Sequence, residues 1–78
     1  MIREMAYSDR IIYDTLKQLI AEKGEDALIS HMLIAEVSGI PYRTCCFSLS
    51  RLRKSGCITG VGIIGIGYKY RITNGSTP

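Results

Sequence analysis

Residues 29–52, ISHMLIAEVSGIPYRTCCFSLSRL, decide how this 78-residue chain is read. Ser30 can cap a short helix, its side-chain oxygen taking one of the backbone N–H groups that a first turn leaves without a partner. Ile34, Ala35 and Val37 then form a compact apolar segment, with a small residue where two helices would cross. Gly39 can take the positive φ that ends a helix. Ile40 plugs the corner, and Pro41 can open the next helix, where its missing N–H costs nothing. Beyond it Cys45, Ser48, Leu49 and Leu52 fall on one face, at steps of 3, 4 and 7 residues. Two helices joined by a short turn containing glycine form a helix-turn-helix.

Outward from that pair, Ser8 or Asp9 can cap a first helix that runs to about Glu22 and lines up Ile12, Leu16, Leu19 and Ile20 in a single stripe. Gly24, Glu25 and Asp26 end it. Ala27, Leu28 and Ile29 suffice only for a short strand, which can close a small sheet. The second helix of the pair is expected to end near Ser55 and Gly56. From Cys57 the period becomes two. Ile58 to Val61 form one strand, and on the return Tyr68, Tyr70 and Ile72 share a face opposite Lys69 and Arg71. A loop over 62–67 joins the two as a hairpin, and 74–78 is a polar tail.

Charge divides the chain in two. All seven acids, Glu4, Asp9, Asp14, Glu22, Glu25, Asp26 and Glu36, lie within the first 36 residues, where they outweigh four cations to give −3. Beyond them come Arg43, Arg51, Arg53, Lys54, Lys69 and Arg71 and no acid, so that half carries +6. Such an asymmetry suggests a nucleic-acid partner, although six cations over forty-two residues also describe an ordinary solvated surface.

Seventy-eight residues suit one domain near the lower limit for a self-sufficient core. A chain 46% hydrophobic and 22% charged belongs to a folded globule and not to a disordered tail. Its longest apolar stretch, 58–66, is short and broken by glycines, so no membrane span is expected. Residues 1–8 offer no signal-peptide core. The three cysteines are an odd number, and Cys45 and Cys46 are neighbours that point about 100° apart on a helix, which makes a bridge between them difficult. A reduced, cytoplasmic protein is the plain inference.

The order helix, short strand, helix, turn, helix, hairpin resembles the winged helix-turn-helix family of DNA-binding domains, a pattern shared by many bacterial and phage regulators. The resemblance covers most of the chain and rests on Ile34-Ala35, Gly39-Ile40, Leu49 with Leu52, Gly56-Cys57-Ile58 and Tyr70-Arg71-Ile72. It implies an α+β, mostly α fold: a three-helix bundle with a C-terminal two-stranded wing over 8–73, an N-terminal arm over 1–7 and a flexible tail over 74–78. It also implies double-stranded DNA as partner, with helix 42–54 in the major groove and the hairpin along the backbone or minor groove.

On that helix Tyr42, Arg43, Thr44, Cys46, Phe47 and Ser50 are expected to point outward, away from the core face. Arg43 is the strongest candidate for reading a base, since a guanidinium donates two bonds to guanine O6 and N7. It suits a phosphate clamp or a plain surface cation equally well. Thr44 and Ser50 are short donors for phosphate or base edges, or simple helix surface. Tyr42 can touch a thymine methyl or bond a phosphate. Phe47 fits DNA contact and burial against another chain or the wing equally. Arg51, Arg53 and Lys54, further along, suit phosphates, as do Lys69 and Arg71 on the return strand. Ser30 presents the N–H groups of a helix start. His31, the sole histidine, follows it and could add a weak contact, but is expected to face solvent with no task.

The wing tip departs from the family pattern, which commonly places Arg or Lys there. Ile63, Ile64 and Ile66 stand among glycines without a charge, and three exposed isoleucines make a patch that favours a partner or a second copy. A winged-helix docking or oligomerisation module, for example an accessory protein of a mobile element, is therefore the alternative to a small transcriptional regulator.

No catalytic, metal or cofactor site is expected. Gly60-Val61-Gly62-Ile63-Ile64-Gly65 spells GxGxxG, but that fingerprint needs a helix at its glycines and an acid about twenty residues on. Thirteen residues follow Gly65, none of them acidic. Cys45, Cys46, Cys57 and His31 match no zinc spacing. A thiol nucleophile needs a base, and the one histidine belongs to another helix.

Overall fold

The computed structural model describes residues 7–24, 26–63 and 67–73, with backbone only at 63. Three helices, α1 (Tyr7–Lys23), α2 (His31–Ser38) and α3 (Tyr42–Ser55), precede two antiparallel strands, β1 (Ile58–Ile63) and β2 (Gly67–Ile72). This is the α+β, mostly α, winged-helix layout that the sequence predicts. Ile29 adds a single-residue bridge to β2: its N–H donates to the Tyr68 carbonyl at 2.7 Å, and the Tyr68 N–H returns the bond at 3.1 Å. The expected short strand is thus one residue long, but it closes the sheet as anticipated. Among the described residues no helix is long and apolar enough to cross a membrane.

The turn of the helix pair follows its local chemistry. Ser30 Oγ accepts from the Leu33 N–H at 3.1 Å, and Gly39 ends α2 at φ 76°, its N–H donating to the Ala35 carbonyl. Pro41 stands one position earlier than expected, as the N-cap of α3, where its carbonyl accepts from the Cys45 N–H at 2.8 Å. Gly56 ends α3 at φ 84°. A side chain at either glycine would meet the steric penalty of the left-handed region.

Ile12, Leu16 and Leu19 of α1 meet Ile34 of α2, Cys45, Leu49 and Leu52 of α3, and Ile29, Ile58 and Tyr70 from the sheet side in one core. Full burial of each large aliphatic side chain contributes about 1.5–3 kcal/mol, which is why one stripe per helix suffices to set the bundle.

α1 departs from its expected start. It begins at Tyr7, so Ser8 and Asp9 lie inside the helix and do not cap it. Both are spent on α3 instead. Arg51 donates to Asp9 through Nε (3.0 Å) and Nη2 (2.7 Å), and Ser48 donates to Ser8 Oγ at 3.2 Å.

β1 runs on to Ile63, two residues beyond the strand expected, and β2 begins at Gly67. Gly60 pairs with Tyr70 and Gly62 with Tyr68. A Cβ at Gly60 would lie 2.5 Å from the Tyr70 ring, and one at Gly62 would lie 2.7 Å from that of Tyr68. These glycines are seats for two aromatic rings that lie across the neighbouring strand.

Candidate nucleic-acid interface

With Cys45, Ser48, Leu49 and Leu52 buried, helical geometry fixes where the rest of α3 points. Arg43, Phe47, Ser50 and Lys54 form the stripe opposite the core. Arg43, Phe47 and Lys54 are exposed, Phe47 at 59%, and Ser50 is half-buried. Tyr42, 55% exposed, leads the flank nearer the wing, along which Cys46 and Arg53 follow. Arg51 and the half-buried Thr44 lie on the other flank. The six early positions therefore do not all point outward.

Cys46 is the clearest departure. It turns to His31, whose Nδ1 lies 3.6 Å from its sulfur. Position along the helix put Cys46 outside the core face correctly, yet the start of α2 covers it. His31 is also not the solvent-facing residue expected. Its ring stacks on Tyr68 with centroids 4.1 Å apart and planes 8° from parallel, and Nε2 shares a 2.6 Å hydrogen bond with Tyr70 Oη. Burial lowers its pKa, and the Arg53 charge adds to the effect. The neutral ring is thereby favoured. In sequence the only signal for this cluster is the alternation that puts Tyr68 and Tyr70 on the inner face of β2.

Arg51 has a structural engagement that competes with phosphate contact. Its bidentate bond holds the Asp9 carboxyl below the usual aspartate range, against the opposing effect of burial, and raises its own pKa in turn. Ser30 has its side-chain oxygen bonded within its own cap. Lys69 and Arg71 are exposed on the strand face opposite Tyr68 and Tyr70. The cations thus occupy three regions: the outer stripe of α3, its two flanks, and the outer face of β2. What unites them is the absence of acid, for every acidic side chain among the described residues precedes α3.

Of the wing-tip isoleucines, Ile64 and Ile66 lie outside the described residues, as does the side chain of Ile63. Among the described residues no three His, Cys, Asp or Glu side chains converge as a metal site, and all three cysteines are free thiols. Comparison with protein-family models, with curated proteins and with solved structures finds no match for this chain.

Proposed function

We propose that this chain binds double-stranded DNA as a small transcriptional regulator of the cytoplasm, with α3 as the element presented to the major groove. The observation that carries the reading is the outer stripe of α3, where Arg43 and Lys54 bracket Phe47 and Ser50 on a helix without acids. A polyanion with methyl-bearing, acceptor-rich base edges complements such a surface: cations for phosphate and guanine, a ring for a thymine methyl, a hydroxyl for either. Arg53 on one flank of α3 and Lys69 and Arg71 on the outer face of β2 add further cations, and Tyr42 adds a phenol. Free thiols in all three cysteines suit a reducing compartment. The role is binding, without a catalytic step or cofactor.

The test is a fluorescence-anisotropy titration with a random duplex at several salt concentrations. If three to five phosphates are neutralised, log K falls against log salt with a slope of about −3 to −4.5. Arg43→Ala costs about 1–3 kcal/mol on a preferred sequence if the side chain reads a base, and weakens all sequences alike if it clamps a phosphate. Binding that is absent at low salt, or indifferent to salt, overturns the proposal.

The second reading, a protein-docking module, is favoured by Phe47 and Tyr42, two large rings more than half exposed on the same helix. In that case Phe47→Ala leaves duplex affinity unchanged and abolishes association with the protein partner or with a second copy.

A further inference from the structure

The corner where the wing meets the helix pair holds chemistry that DNA binding does not require. His31 has both ring nitrogens engaged, Nε2 with Tyr70 Oη at 2.6 Å and Nδ1 facing Cys46 Sγ at 3.6 Å. Its ring lies flat on Tyr68, so a tilt would lose the stack and the bond together. A nucleophile within reach of a base that a third group orients is the arrangement that activates side-chain nucleophiles. We propose that Cys46 is a reactive thiol, with His31 as its general base and Tyr70 as the positioning residue, and that it is a site of oxidation by hydroperoxides.

In the reactive arrangement Nε2 carries the ring proton and donates it to Tyr70 Oη, which leaves the Nδ1 lone pair facing the thiol. Burial keeps the imidazole neutral at ordinary pH, so that lone pair is available. The Cys46 proton passes to Nδ1 as the sulfur attacks one peroxide oxygen. The S–O bond forms, the O–O bond breaks, and the leaving oxygen takes the proton from the imidazolium. The sulfur is oxidised by two electrons to a sulfenic acid, and hydrogen peroxide is reduced to water. Cys46 is half-buried, which leaves it within reach of so small a reagent. The Tyr42 phenol, one turn earlier on α3, also shares a hydrogen bond with the Cys46 thiol, and the positive Arg53 lies near enough to affect both His31 and Tyr70.

The chain contains its own controls. Cys45 is fully buried, donates its thiol to the His31 carbonyl at 3.9 Å, and is pushed up to about 11 by burial. Cys57 accepts from the Ser55 hydroxyl at 3.3 Å, beyond the end of α3. The reactivity itself stands independently of the DNA-binding reading.

The experiment treats the full chain with hydrogen peroxide in the presence of dimedone, maps adducts at the three cysteines by mass spectrometry, and measures iodoacetamide labelling rates against pH. The dimedone adduct is expected at Cys46, and Cys46 labels faster than Cys57. His31→Gln lowers the Cys46 rate by about tenfold or more, as loss of a positioned base should, and leaves Cys57 unchanged. Tyr70→Phe keeps the ring that fills the core and removes only the hydroxyl. It is expected to shift the pH profile of Cys46 alone. Labelling of Cys46 no faster than Cys57, a rate indifferent to His31→Gln in a variant with wild-type circular dichroism, or an unmoved pH profile in Tyr70→Phe would each overturn the proposal.

Discussion

Asp9 shows how a single carboxylate can do work that its position does not advertise. Near the start of α1 it resembles a cap, yet it is almost wholly buried and bonded twice by Arg51 of α3. Because the pair lowers the aspartate pKa below 3.8, the ionised form is favoured by folding. Its contribution is fully present above 3.8 and is lost as pH falls through the folded-state value. Arg51→Met is expected to lower the melting temperature at neutral pH, because it leaves a carboxylate desolvated without its partner. The gap between variant and wild type should close on acidification, once Asp9 is neutral in both. Thermal melts over a series from pH 7 into strong acid test this, and a gap that does not narrow as pH falls would show that the ion pair does not stabilise the fold.

At the scale of the element, the wing owes its register to Gly60 and Gly62. Glycine in a strand interior ordinarily weakens it, so an alanine at either site should help on propensity alone. The Tyr70 and Tyr68 rings reverse that expectation. Gly60→Ala is expected to destabilise the fold by about 1–3 kcal/mol, the usual cost of overpacking, and to lose most of that cost in a Tyr70→Leu background. A double-mutant cycle by urea denaturation measures the coupling, and additive costs would show that the ring does not set the glycine. These residues also mark how far the sequence is legible. The caps at Ser30, Gly39 and Gly56, the core face of α3 and the alternation of β2 are local signals, readable within a few residues. Gly60 and Gly62 instead spell part of a GxGxxG that its sequence context rules out, and no local signal explains them, because their reason lies on the opposing strand. Asp9 with Arg51, and His31 with Tyr70 and Cys46, were likewise hidden: the partners lie 42, 39 and 15 residues away. Spacing along one helix assigned Cys46 and Thr44 to the outside without knowing which neighbours would cover those flanks.

As a whole molecule the chain extends 38 × 26 × 22 Å along its principal axes. It presents one α3, whereas the half-sites of a dimeric operator stand about 34–36 Å apart. On the proposed DNA-binding reading, a single module would bury roughly 600–1,000 Å², and pairing of two copies would double the contacts. The uncharged run Ile63, Ile64 and Ile66 is the sequence feature best suited to join them. Replacing Ile63 and Ile64 with Ser is expected to weaken self-association in sedimentation velocity while the fold persists. An unchanged sedimentation profile with a lower melting temperature would assign the isoleucines to the monomer's own core.

The bridge between Ile29 and Tyr68 has a kinetic consequence. It joins the segment before the helix pair to the last strand, beside the His31–Tyr70 bond that spans 39 residues. Contacts of that range form only after the intervening chain has been brought around, and the entropy of that closure must be met before they return anything. The helix pair lies entirely inside the loop so closed. Its first helix, α2, begins beside an Ile29 that stays unpaired until the hairpin arrives to supply the missing backbone partner. Hairpin docking and consolidation of the helix pair should therefore occur in one barrier crossing, so that α3 matures only when β2 is in place.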